Sequence, residues 1–168
     1  LLKHLSSVRL RDDQNILKGD IITYDDSTQQ MSLIDNASIK NTNQELTGES
    51  IHIQFQDSML SHINIDKNPI AINLVTAKLY NESPYTEYFD RMFGKKMFIK
   101  YQENKINKLT IIGMANSIYH IIKNDLLEGQ NEVSGDTISI SFLNEELSSI
   151  RVIGGGIGHF IPELTNSG

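Results

Sequence analysis

Gly94-Lys-Lys-Met97-Phe-Ile99-Lys-Tyr101, followed after a polar turn by Ile106, Leu109 and Ile111, decides the fold, because the same pattern occurs twice more. One further copy is Gly48-Glu-Ser-Ile51-His-Ile53-Gln-Phe55, followed by Leu60, Ile63 and Ile65. The other is Gly135-Asp-Thr-Ile138-Ser-Ile140-Ser-Phe142, followed by Leu147, Ile150 and Val152. With h for an apolar residue, the template reads Gly-x-x-h-x-h-x-(Phe/Tyr), a turn, then h-x-x-h-x-h. A looser copy begins at Gly19-Asp20, with Ile22, Tyr24, Met31 and Leu33 placed around a longer turn at Asp25-Asp26-Ser27-Thr28. Self-similarity of this kind is the mark of a repeat architecture.

Alternation at period two puts Ile51, Ile53 and Phe55 on one face of a strand and His52 and Gln54 on the other. Met97, Ile99 and Tyr101 repeat the arrangement, as do Ile138, Ile140 and Phe142. Most of these apolar residues are β-branched or aromatic, types that suit a pleated, half-buried surface. Polar turns at 56–58, 102–104 and 143–145 reverse the chain into the next strand. Each unit is therefore a hairpin with one apolar face, marginal alone, so the copies must stack and share a core. The predicted fold is all-β, a single domain over 1–168 built from repetitive antiparallel hairpins. Its four units start near 17, 46, 92 and 133.

Further strand candidates lie at 5–10, 37–40, 70–74 and 117–122. Residues 84–93 admit either a short helix or an irregular aromatic loop. There Tyr85, Tyr88, Phe89, Met92 and Phe93 follow helical spacing, with Ser83 as a cap and Pro84 in the first turn. The tail from Pro162 to Gly168 reads as a loose terminus.

Composition narrows the function classes. The 168 residues are 39% apolar, below the usual share, which suits a thin or elongated fold. There is no cysteine, so neither disulfides nor thiolate chemistry can be built. A formal charge of −6 disfavours nucleic acid, whose binders gain affinity by neutralising phosphate. No apolar run of about 18 residues is present to span a bilayer as a helix. The chain opens Leu1-Leu2-Lys3, with no initiator Met and no signal-peptide pattern, and reads as an excised fragment or a mature segment.

The string from Gly94 to Gly113, continuing Ala115-Asn116-Ser117-Ile118-Tyr119, resembles the OstA-like family, the LptA, LptC and LptD N-terminal-domain type of lipopolysaccharide-transport protein. So does Gly135 to Phe142 leading into Ile150-Arg-Val-Ile-Gly154. Leu17 to Tyr24 through Leu33-Ile-Asp-Asn-Ala-Ser-Ile39 looks like the same family's strand–turn–strand signature, with Asp35 in place of its Gly. The resemblance covers roughly residues 15–160. It implies an open, V-shaped periplasmic β-jellyroll whose apolar interior carries lipopolysaccharide acyl chains or a related glycolipid. It also implies partners that add edge to edge, either other OstA-like components or further copies of the chain. Extracting an acyl chain of about 12–14 carbons costs on the order of 10 kcal/mol, at about 0.8 kcal/mol per CH₂, and only a continuous apolar channel offsets that.

The candidate groove residues are Ile51, Ile53, Phe55, Ile63, Met97, Ile99, Tyr101, Leu109, Ile138, Ile140, Phe142 and Ile150. Closed core, groove lining, or both along a graded cavity are the open readings for them. Lys95, Lys96 and Lys100 are candidates for anionic headgroup contact, or else belong to a solvated outer face. His4, His52, His62, His120 and His159 alternate with apolar neighbours and read as exposed strand histidines. No metal-ligand spacing joins them. Gly154-Gly155-Gly156-Ile157-Gly158 lacks a following helix to meet a phosphate, so it reads as a flexible bend or a strand poor in side chains. No nucleophile elbow is present. The chain is thus expected to be a non-enzymatic carrier without metal or cofactor. The alternative is an edge-assembling β-repeat interaction module without ligand.

Overall fold

A computed structural model describes residues 8–11 and 14–163. Among the described residues thirteen strands follow one another, hydrogen-bonded into one continuous antiparallel array. They are β1 (Val8–Arg11), β2 (Ile16–Gly19), β3 (Ile21–Asp25), β4 (Gln30–Lys40), β5 (Gln44–Gln56), β6 (Met59–Asp66) and β7 (Ile70–Ala77). The rest are β8 (Thr86–Phe93), β9 (Lys96–Gln102), β10 (Lys105–Lys123), β11 (Leu126–Leu143), β12 (Glu146–Ile153) and β13 (Ile157–Pro162). Of the strand candidate at 5–10, residues 5–7 lie outside the described residues, as do His4 and the tail beyond 163.

The array folds into two facing layers along one line of corners. The first layer runs β3, the first half of β4, the second half of β5, β6, β9, the first half of β10, the second half of β11, and β12. The second layer takes β1, β2, the other halves of the four long strands, β7, β8 and β13. Each repeat builds its corner the same way. The template Gly stands at the corner, and the N–H of the next residue bonds to a carbonyl of the neighbouring strand's bend. Asp20 N bonds to Ile34 O and Asp35 O, and Glu49 N to Lys67 O. Lys95 N bonds to Ile112 O and Gly113 O, and Asp136 N to Gly154 O. The bends opposite use backbone with positive φ at Asp35-Asn36, Lys67-Asn68, Gly113-Met114 and Gly154-Gly155.

Corner glycines are required by space. A Cβ on Gly94 would lie 2.5 Å from Ile111 Cγ2, and one on Gly135 would lie 2.5 Å from Val152 Cγ1. A Cβ on Gly48 would collide with Ile65 Cγ2. The template's first Gly and its last apolar residue are therefore a contacting pair.

The h-x-x-h spacing has an equally concrete cause. Register shifts by one residue in each of the three template hairpins, between Gln54 and Phe55, between Ile106 and Lys108, and between Ser141 and Phe142. A β-bulge absorbs the extra residue, so Leu60, Ile106 and Leu147 stay on the inner face. The turns at Asp57-Ser58, Glu103-Asn104 and Asn144-Glu145 have positive φ at both central residues, the conformation that suits the twist of a two-residue hairpin.

Residues 84–93 form neither a helix nor an irregular loop. Thr86–Phe93 is strand β8, paired with β7 along its whole length from Ile70↔Phe93 to Ala77↔Thr86. Tyr88 and Met92 fit both periods, and pairing with β7 decides for the strand. As a strand, Tyr88, Asp90 and Met92 share the sheltered face while Phe89 and Phe93 remain exposed. The glycine-rich segment is a bend at Gly154-Gly155 followed by strand β13 on β11.

Candidate functional site

Inward side chains of the first layer form rows parallel to the corner. The innermost row runs Ile22, Leu33, Ile51, Ile65, Met97, Ile111, Ile138 and Val152 across eight paired strand segments. The second runs Tyr24, Met31, Ile53, Ile63, Ile99, Leu109, Ile140 and Ile150 in the same pairings. The third consists of the hairpin-end pairs Phe55–Leu60, Tyr101–Ile106 and Phe142–Leu147. Burial falls from row to row. Ile51, Met97 and Ile138 are sealed, as are Ile53, Ile63, Ile99, Leu109 and Ile140 of the second row. Phe55, Tyr101, Phe142 and Ile150 are half-buried against that core, and Leu147 is 43% exposed.

Among the twelve groove candidates, then, the structure places most in closed packing next to the corner. It brings Ile99, Tyr101, Leu109 and Phe142 to a cavity of about 350 Å³ between the layers, away from the corner. That volume lies within the range of about 300–1,000 Å³ typical of small-molecule sites.

The second layer supplies the opposite wall. Beyond Ala37 and Ala115 at the corner, its next row is Leu17, Ile39, Leu46, Ala71, Met92, Ser117, Val133 and Gly158, mostly apolar. One row farther out the chemistry changes, with Gln44 paired to Asn73, Asn73 to Asp90, and Tyr119 to Asn131. Asn131 Nδ2 donates to Tyr119 Oη at 2.6 Å. The sequence reading missed this polar wall, since its residues alternate inside connecting strands that lack the template. Asn73 within the apolar run 70–75 and Asp90 among the aromatics of 85–93 were the available signals.

His120 departs from its expected place. Its side chain is only 10% exposed, its ring lies 5.0 Å from that of Tyr88, and its Nδ1 is 2.9 Å from Asp90 Oδ1. The backbone N–H of His120 donates to the same oxygen at 2.8 Å. The reason is that β8 and β10 pair only from Asn116↔Phe93 to Ile118↔Arg91 and then separate. Asp90 takes over the acceptor role that a strand carbonyl would have filled. His52, half-buried, lies 2.9 Å from Ser32 Oγ, His62 stacks near Phe98 at 5.3 Å, and His159 is exposed. Among the described residues no group of three or more potential metal ligands converges.

Lys96 and Lys100 alternate with Met97 and Ile99, which sets them on the outer face of the first layer, away from the cavity. Lys95 sits at a corner, with its stem over Gly113. Tyr101 is the cavity residue whose electrostatics are displaced: burial pushes its phenol up to about 12.

The segment 78–85, between β7 and β8, crosses to the β10–β11 turn. Lys78 N donates to Asp125 O, Leu127 N donates to Lys78 O, and Tyr85 Oη donates to Asp125 Oδ2 at 3.1 Å. This ties the far end of the second layer together where β8 and β10 have parted.

No protein-family model matches the chain, and no curated protein matches its sequence. Its structure is similar to that of LptH from Pseudomonas aeruginosa, the LptA-homologous periplasmic component of the lipopolysaccharide transport device. The TM-score is 0.53 at 14% identity, with 80% of each chain covered. At that identity the likeness is one of fold, and the fold is an all-β, LptA-like jellyroll.

Proposed function

We propose that this chain is a non-enzymatic lipid carrier of the lipopolysaccharide-transport kind, acting in the periplasm as one element of a bridge to the outer membrane. The observation that carries the reading is the gradient in the apolar rows. A core sealed at the corner opens, row by row, into a cavity lined by Tyr101, Ile106, Phe142 and Leu147. A jellyroll needing only stability would close both ends. The likeness to LptH supports the same direction.

Calorimetric titration with purified lipopolysaccharide tests it. The wild-type chain binds, and Phe142→Glu and Leu147→Glu, which place a carboxylate in the half-open row, weaken binding by on the order of tenfold or more while keeping the β circular-dichroism spectrum. Unchanged affinity in both folded variants, or no binding by the wild type, refutes the carrier reading. Charged residues at Ile53, Ile99 or Ile140 are poor probes, since those positions are sealed and the variants would unfold.

A second reading, an edge-assembling interaction module, draws on one observation. Among the described residues strand β13 pairs with β11 alone, and it exposes Ile157, Phe160 and Ile161. Free edges of this sort accept a strand from another chain. The two readings are compatible, because a bridge needs both a cavity and joinable ends.

A further inference from the structure

The walls of the cavity differ in a way that selects among lipids. Ile99, Ile106, Leu109 and Phe142 face it from the first layer. Gln44, Asn73, Asp90, Tyr119 and His120 face it from the second, and Glu145 stands at its rim from the β11–β12 turn. Two carboxylates and no lysine or arginine line this space. Its one histidine already has Nδ1 against Asp90. The lysines of the first layer, Lys96 and Lys100, are on the other side of the sheet.

An alkyl chain gains by covering the apolar wall, at about 25 cal/mol per Å² of apolar surface removed from water. The same chain displaces water from the polar wall, whose groups must then find new partners or lose a hydrogen bond. Amide and hydroxyl side chains at Gln44, Asn73 and Tyr119 both donate and accept, which matches an ester, an amide or a hydroxyl. An anionic group would shed its hydration and meet Asp90 and Glu145 with no lysine or arginine to compensate.

We infer that the cavity admits an alkyl chain together with the uncharged hydrogen-bonding group joined to it, and that it keeps anionic heads outside. This deepens the carrier reading and rests on it. The polar wall then fixes how far a lipid enters: the chain lies along the first layer, the linking group stops at Asn73 and Tyr119, and charged portions remain in solvent.

Two probes of equal chain length separate the alternatives, 1-dodecanoylglycerol and dodecanoate, each titrated into the whole chain at neutral pH below its aggregation threshold. The expected result is binding of the glycerol ester on the order of tenfold tighter than dodecanoate. Glu145→Lys, on an exposed turn, and Asp90→Asn each narrow that ratio. Dodecanoate binding as tightly as the ester, or a ratio unmoved in both variants, overturns the charge selection while the carrier reading stands. Failure of both probes to bind overturns the proposal, and the carrier reading falls with it only if purified lipopolysaccharide also fails to bind.

Discussion

A side chain on Gly48 would have to begin in space that Cγ2 of Ile65 already fills. Because Ile65 belongs to the sealed innermost row, and its branched carbon cannot swing aside as the tip of a long side chain would, the corner has no slack. Gly48→Ala should therefore cost about 1–3 kcal/mol, the usual range for overpacking. Gly158→Ala is the control, since a Cβ there meets nothing within 4 Å, and it should stay within about 0.5 kcal/mol of wild type. Urea unfolding of both variants gives the comparison. Equal stabilities would mean that the repeated Gly is not held by the corner.

The Asp90–His120 contact leads to a different expectation. With β8 and β10 unpaired beyond Ile118, Asp90 Oδ1 is the acceptor for His120 N–H, and both side chains are largely sheltered. Asp90→Ala strands that donor and should destabilise the chain by about 1–3 kcal/mol. Asp90→Asn retains an oxygen in the same position and should lose less than half as much. Chemical denaturation read by far-ultraviolet circular dichroism distinguishes them. An alanine variant as stable as wild type would show that water or a rearranged strand replaces Asp90 without penalty.

How much of this was legible in the sequence follows from which residues carry a period. The hairpins of the first layer were, because Ile51-x-Ile53-x-Phe55 and its copies put every apolar residue on one face and the turns between them are polar. The bulge was encoded in the same template, as the one break in alternation between Leu60 and Ile63, but its meaning needed the paired strand. The second layer was much less visible. Its inner face mixes Ala71, Asn73, Asp90, Met92 and Ser117, so no amphipathic stripe announces it. Tyr85, Tyr88, Phe89, Met92 and Phe93 satisfied helical spacing by coincidence, and cross-strand pairing with β7 decided otherwise. His120 was misplaced for a related reason: alternation alone cannot anticipate where two strands part and a carboxylate fills the gap.

Tyr101 makes the cavity's hydrophobicity measurable by pH. Burial favours the neutral phenol, which holds its folded-state value at about 12 against about 10 for an exposed tyrosine. Between those values the unfolded chain has given up a proton that the folded chain retains. The phenol therefore leaves stability independent of pH below about 10, and stability falls as pH rises towards 12. The full loss is on the order of 3 kcal/mol. Tyr101→Phe should resemble wild type at neutral pH and fall less steeply between pH 10 and 12 in equilibrium unfolding. Parallel pH profiles for the two proteins would show that the phenol is solvated.

Strand β13 bears on assembly. Its six residues, Ile157 to Pro162, include no lysine, aspartate or glutamate to blunt the edge, and its one proline stands at the last position. Gly158 and Phe160 continue the inner rows of β11, since Gly158 pairs with Val133 and Phe160 with Asn131, which leaves Ile157 and Ile161 together on the outer face. Those two are 56% and 48% exposed. A strand added to this edge would extend the second layer and cover backbone groups that β11 does not use. Ile157→Lys combined with Ile161→Lys introduces charge on that face without touching the core, so folding should be preserved while self-association weakens. Sedimentation velocity over a concentration series measures it: the wild type should shift towards larger species as concentration rises, and the double variant should remain smaller at the same concentrations. A wild type that sediments as a monomer throughout would remove self-addition at β13 and leave only a foreign strand as the partner for that edge.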